Sequence, residues 1–232
     1  ERAKENYENY VEVLDQVIDK QKELIETMTG DAAVKASQKA IELIEKQTVA
    51  ARELGKQRLN AGASAGSHSI GVRQWKRINR EELREAENAL WKGFYDGKRM
   101  TGLFDLTVEQ MEKLKSDAPT FWSKLDDDVR QYLDQIIAGN KKIEEMKELL
   151  NESLTQVSFD SLQSDYLDML MNLDSSNLDL AENFQEYLQK SILNSMLVSK
   201  YQGRLRGWYD EFARANEDKE GITRWEYDKL QD

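Results

Sequence analysis

The sequence predicts an all-α fold: an elongated helical hairpin, antiparallel and coiled-coil-like, followed by a bundle of shorter helices. Three observations carry that expectation. Apolar residues recur at three- and four-residue steps through almost all of the 232 residues. Helix-forming Glu, Lys, Gln, Leu and Ala abound, whereas proline occurs once. No stretch shows the two-residue alternation, rich in Val, Ile and Thr, that marks a half-buried strand.

The first segment places Tyr7, Tyr10, Leu14, Val17, Gln21, Leu24 and Met28 on a heptad, with Val11, Ile18 and Ile25 widening the stripe. That is one helix about 40 Å long at 1.5 Å per residue. Thr29-Gly30-Asp31 then supplies a helix-ending glycine followed by an N-capping aspartate. The pattern resumes with Val34, Ala40, Ile41, Ile44, Thr48, Ala51 and Leu54, whose small members suit close packing against the first helix. A single helix of some sixty residues running through Gly30 is the competing reading; the hairpin is preferred. Asn60 to Gly71, with three glycines among small polar residues, reads as a loop.

Shorter helices follow. Asn79 with Glu82 forms a capping box for Glu81 to Phe94, and Thr107 with Gln110 forms a second. Asp96-Gly97 and Thr101-Gly102 read as turns. Ala118-Pro119 opens a helix whose apolar face runs through Phe121, Trp122, Leu125, Val129, Tyr132, Leu133, Ile136 and Ile137. Lys141 to Leu154 reads as the next helix, Ser158 as the cap of Leu162 to Leu173, and Ser175-Ser176 as the opening of a stretch to Lys200. Leu205, Trp208, Tyr209 and Phe212 mark a final helix. The expected organisation is a hairpin over 1–60, a Gly/Ser-rich loop over 61–71 and a helical bundle region over 72–232.

Composition narrows the function classes. Charged residues make up 33% and mean hydropathy is −0.76, which implies much solvated surface. Five Trp and nine Tyr argue against wholesale disorder. A net charge of −11 disfavours nucleic acid or an anionic membrane as the main partner, since both recruit clustered Lys and Arg. Without cysteine, a disulfide-stapled module is excluded and the redox compartment stays open. No window approaches the roughly 18 apolar residues of a membrane span, and Glu1 to Lys20 has no signal-peptide core. The chain opens on Glu-Arg-Ala-Lys in mid-pattern, which reads as an internal or C-terminal piece of something longer.

Reactive residues are scarce. Gly62-Ala63-Ser64-Ala65-Gly66 matches the Gly-x-Ser-x-Gly nucleophile elbow, but that elbow needs a strand before it, and Arg52 to Leu59 is helical in pattern. The only histidine, His68, shares the loop with Ser64, so no scaffold sets the geometry of the pair. One histidine cannot supply the two Glu-x-x-His elements of a di-iron bundle, nor a zinc site. Asp126-Asp127-Asp128 invites calcium, yet on a helix its members splay around the axis and read as a solvated face. The stretch from Asn216 resembles an EF-hand loop with Gly221 at its sixth position, but Tyr227 replaces the twelfth-position Glu and Thr223 the eighth-position aliphatic. Lys200, Arg204 and Arg206 alternate with Tyr201, Trp208 and Tyr209, as in nucleic-acid binders. With Asp210 and Glu211 adjacent, inward packing of the aromatics under the basic stems is preferred. No catalytic, cofactor-binding or metal-binding residue is therefore assigned, and no cofactor is expected. The heptads of the first sixty residues leave partner binding open, because an apolar seam can recruit a second chain.

Several stretches resemble tail tape measure proteins of Bacteroides-type phages and prophages. They are Leu59-Asn60-Ala61-Gly62-Ala63-Ser64-Ala65-Gly66-Ser67-His68-Ser69, Gly102-Leu103-Phe104-Asp105-Leu106-Thr107, Ala118-Pro119-Thr120-Phe121-Trp122 with Leu125 to Val129, and Val157-Ser158-Phe159-Asp160. The stretch from Phe184 to Ala213 completes the likeness. The resemblance implies a non-enzymatic role in tail assembly and tail-length determination, in the virion tail or in the host cytoplasm during assembly. Its implied partners are other tail proteins (tube, tip or chaperone) or further copies of itself, with neither nucleic acid nor a membrane span in this segment. It carries over no site residue. A helical scaffold or adaptor that binds another protein through its coiled-coil-like seam is the alternative, and a hydrolase built on Ser64 is a third reading. Far-UV circular dichroism should show a helix-dominated spectrum; substantial β content would overturn the all-α reading.

Overall fold

The computed structural model describes residues 2–28, 30–62, 69–90, 99–165 and 202–217. Among these the chain is entirely helical, without strands. α1 (Arg2–Thr27) and α2 (Asp31–Asn60) pack as a hairpin, followed by α3 (Ile70–Arg77), α4 (Arg80–Leu90), a 3-10 turn (Thr101–Asp105), α5 (Val108–Asp117), α6 (Pro119–Lys124) and α7 (Asp127–Thr155). A helical run over 159–165, α8, and α9 (Gln202–Ala215) complete the described elements. The predicted stretch from Ser175 to Lys200 lies outside the described residues, as does Asp96-Gly97.

Gly30 makes the hairpin. Its φ of 58° lies in the left-handed region, which an L side chain enters only with strain. Its carbonyl accepts from Val34 N at 3.1 Å, so Gly30 holds the cap position expected of Asp31. Asp31 stands instead in the first turn, where its charge favours the positive end of the helix dipole.

Contacts divide the chain into two units, to both of which α1, α2 and α7 contribute. The first comprises residues 1–18 and 40–145. Its core joins Tyr7, Ala51, Leu59, Ala86, Leu103, Phe104, Met111, Leu114, Phe121, Leu133 and Ile136, all nearly or fully buried. Small residues set the spacing: a Cβ on Gly55 would lie 2.0 Å from the Phe104 ring, and one on Gly139 would lie 2.8 Å from Thr48 Oγ1. Arg52 donates through one guanidinium nitrogen to the carbonyls of Phe104 (2.6 Å) and Leu106 (3.0 Å), which ties the 3-10 turn to α2. α4, α5 and α6 pack on one another. Ala118 offers α6 no side-chain cap, but Glu85 of α4 accepts from Phe121 N at 3.1 Å.

The second unit comprises residues 19–39 and 146–232. Ile25, Ala33, Ala36, Met146, Phe159, Tyr209 and Ala213 are buried there. Ser153 Oγ donates to the Met28 carbonyl at 2.8 Å, and Tyr209 Oη donates to Val157 O at 2.7 Å.

Both capping boxes and the Ser158 cap form as expected, with α4 starting at Arg80; residues 91–94 of the expected helix lie outside the described residues. Beyond the cap of α2, four expectations need correction. The helix predicted from Pro119 through Ile137 breaks at Leu125, whose extended backbone (ψ 149°) ends α6. The break before Lys141 is absent: α7 runs unbroken from Asp127 to Thr155, because Gly139 serves close approach to α2 and not termination. The loop predicted over 61–71 does not reach its last residues, since Ile70 and Gly71 are helical and buried Ser69 caps α3 by accepting from Val72 N; residues 63–68 lie outside the described residues. Finally, α1 buries Tyr7, Ile18 and Ile25 and leaves Tyr10 and Met28 of the predicted heptad line exposed.

Gly30→Ala should lower stability by about 1 kcal/mol in denaturant unfolding. Gly55→Ala should cost roughly 1–3 kcal/mol, because the Phe104 ring is fully enclosed and cannot yield.

Candidate functional site

Ionisable groups of the first unit converge where α7 begins. Asp126 sits in the cap position, its carbonyl accepting from Arg130 N at 2.9 Å and its Oδ1 from Val129 N at 3.4 Å. From the last turn of α2, Arg58 reaches it with two parallel bonds, Nε to Oδ1 at 3.0 Å and an Nη to Oδ2 at 3.1 Å. The same Arg58 nitrogen lies 3.2 Å from Asp128, and Lys4 of α1 donates to Asp128 at 2.6 Å. Lys4, Leu54, Gln57, Arg58, Ala61, Asp128 and Tyr132 line an open cleft of ≈ 680 Å³.

Electrostatics holds Asp126 ionised. Burial pushes Asp126 upward, but the Arg58 hydrogen bond and charge, with the N–H groups of Val129 and Asp128, outweigh it and keep the carboxyl below its ordinary range. Arg58 is correspondingly raised, chiefly by its bond to Asp126. Burial pushes the neighbouring Tyr132 hydroxyl up as well. General acid–base work uses groups moved toward neutrality, whereas Asp126 and Tyr132 move away from it. The arrangement is chemically suited to clamping three helices together.

The aspartate triplet is therefore corrected. It does not splay along a helix as a solvated face; it starts one, and two of its members are partly buried and ion-paired. Only Asp127 is largely exposed, paired with Arg130. The legible signal was Asp126 itself, a residue type that favours helix caps.

A second polar cluster lies along α1, α2 and α7 in the same unit. Asp15 Oδ1 accepts from Gln47 Nε2 at 3.1 Å and from Lys142 Nζ at 2.9 Å, and Gln47 Nε2 also reaches Val11 O at 3.2 Å. A cleft of ≈ 190 Å³ adjoins them, lined also by Tyr7, Thr48, Gln135 and Gly139. Burial first, then the charges of Tyr132 and Asp15, push the Tyr7 hydroxyl up to about 12.

Ser64 and His68 lie outside the described residues, as do Lys200, Tyr201 and most of the EF-hand-like stretch. The residues preceding the Gly-x-Ser-x-Gly match belong to α2, not to a strand. Of the basic–aromatic patch, Tyr209 is buried and Arg206 pairs with Glu148 and, at 3.4 Å, with Asp210. The Arg206 guanidinium also stands 4.8 Å from the Phe159 ring centroid, while Trp208 stacks on Phe212 at 5.3 Å. Among the described residues no group of three His, Cys, Asp or Glu side chains is placed to hold a metal ion, and no helix is long and apolar enough to cross a membrane. No protein-family model, curated protein or solved structure matches this chain.

Asp126→Ala, which removes both cap and ion pair, should destabilise by about 1–2 kcal/mol. The pH dependence has a definite sign. A carboxyl lower in the folded state stabilises fully above its unfolded value, about 3.9, and that contribution is lost as pH falls through the folded value. Thermal melts between pH 6 and pH 2.5 should therefore show a steeper acid loss for the wild type than for Arg58→Met; parallel curves would refute the linkage.

Proposed function

We propose that this chain is a non-enzymatic structural segment of a phage tail tape measure protein, acting in tail assembly and tail-length determination. The observation that carries this reading is the likeness of the quoted stretches, from Leu59 to Ala213, to that family. Helical architecture is its physical rationale, because a helix converts residue number into length at a fixed 1.5 Å per residue. α2 and α7, of 30 and 29 residues, are long unbroken helices of that kind.

A second reading, a scaffold or adaptor that binds another protein, draws on exposed apolar side chains of α1 and α2. Tyr10, Val13 and Val49 are 41%, 59% and 66% exposed on helices otherwise covered with charge. Such side chains on a helical seam suit a partner helix.

In-frame deletion of this segment from its parent gene, followed by electron microscopy of assembled tails, separates the two. The ruler reading expects tails shortened by up to about 1.5 Å per helical residue removed. The full value would mean that the hairpin opens in the tail, and a smaller one that it stays folded. Tails of unchanged length would overturn the measuring role and favour the adaptor.

A further inference from the structure

α1 carries two apolar lines one residue out of step. Val11, Leu14 and Ile18 face the interior of the first unit, while Tyr10, Val13 and Val17 are the same line displaced by one position. Exposure shows which is in use: Ile18 is 4% exposed and Val11 and Leu14 are half-buried, whereas on the second line Tyr10 and Val13 are 41% and 59% exposed and only Val17 is half-buried. A one-residue shift rotates a helix by roughly 100° and slides it about 1.5 Å, so the second line can present a comparable set of apolar side chains to α2. Apolar burial is non-directional and discriminates weakly between such registers.

Polar contacts do discriminate. Asp15 ties α1 to Gln47 of α2 and Lys142 of α7, and Gln47 holds the Val11 carbonyl as well. After a one-residue shift Leu14 would stand in the place of Asp15, leaving Gln47 and Lys142 without their acceptor. Asn6 would likewise stand in the place of Tyr7, whose ring meets Tyr132 edge-on at 5.6 Å. A polar residue in an apolar seam commonly selects register in this way.

We infer that the Asp15–Gln47–Lys142 clasp is a register key, a conformational device that holds α1 in one of two rotational settings. Releasing it lets α1 turn so that Tyr10 and Val13 join the half-buried Val17 in the covered line and Ile18 moves toward solvent.

The sequence has no cysteine, so an introduced thiol is the only one in the molecule. Val13→Cys and Ile18→Cys are each made in the wild-type background, with Asp15→Ala, and separately with Lys142→Met. Labelling by a small thiol reagent is followed under native conditions. With the clasp intact, the Val13→Cys thiol should react fast and the Ile18→Cys thiol slowly. With it broken, the two rates should move in opposite directions, by roughly tenfold for loss of charge-assisted hydrogen bonds. Lys142→Met leaves α1 unaltered and serves if Asp15→Ala fails to fold. A parallel rise at both positions would mean that the clasp merely adds stability, and unchanged rates that it does nothing; either outcome overturns the inference.

Discussion

Asp126 joins the ends of two helices in the first unit. Its carboxylate caps α7 and receives both parallel bonds of the Arg58 guanidinium from the last turn of α2. A planar donor fork on a planar acceptor fixes direction as well as distance, which a single ammonium contact would not. Asp128 extends the junction to Lys4 at the start of α1, so that three helix ends share one set of charges. The break between α6 and α7 follows from the same place: once Leu125 is extended and Asp126 turns to cap, the chain cannot continue α6.

From that junction the helices of the first unit approach one another as closely as their smallest residues permit. Gly139 lets α7 lie against Thr48, and Gly55 leaves room for the Phe104 ring on α2. Close approach brings main-chain and side-chain polar groups into a partly dry seam, where each must find a partner. The network of Tyr7, Asp15, Gln47 and Lys142 answers that need for most of its members. Geometry of this kind is costly to rearrange.

Legibility in the sequence tracked the range of the interaction. Capping boxes at Asn79/Glu82 and Thr107/Gln110 and the cap at Ser158 were readable because donor and acceptor lie three residues apart. The continuity of α7 through Lys141 is not legible locally, because a glycine such as Gly139 that admits a neighbour looks like one that ends a helix until the neighbour is in place. The aspartate triplet was misread for a similar reason. Its pairing with Arg58 spans 68 residues, and no local pattern encodes such a distance.

The sequence by itself determined that the described residues are helical, where α4, α5 and α6 start, and that the chain reverses at Gly30. Those outcomes depend on local propensity, capping chemistry and the conformational freedom of one residue. Tertiary structure alone decided which apolar line α1 buries, where α6 yields to α7, and that α7 runs unbroken through Gly139. Apolar periodicity tolerates more than one rotation of α1, and only contacts with distant residues, Gln47 and Lys142 among them, make one rotation better than the other.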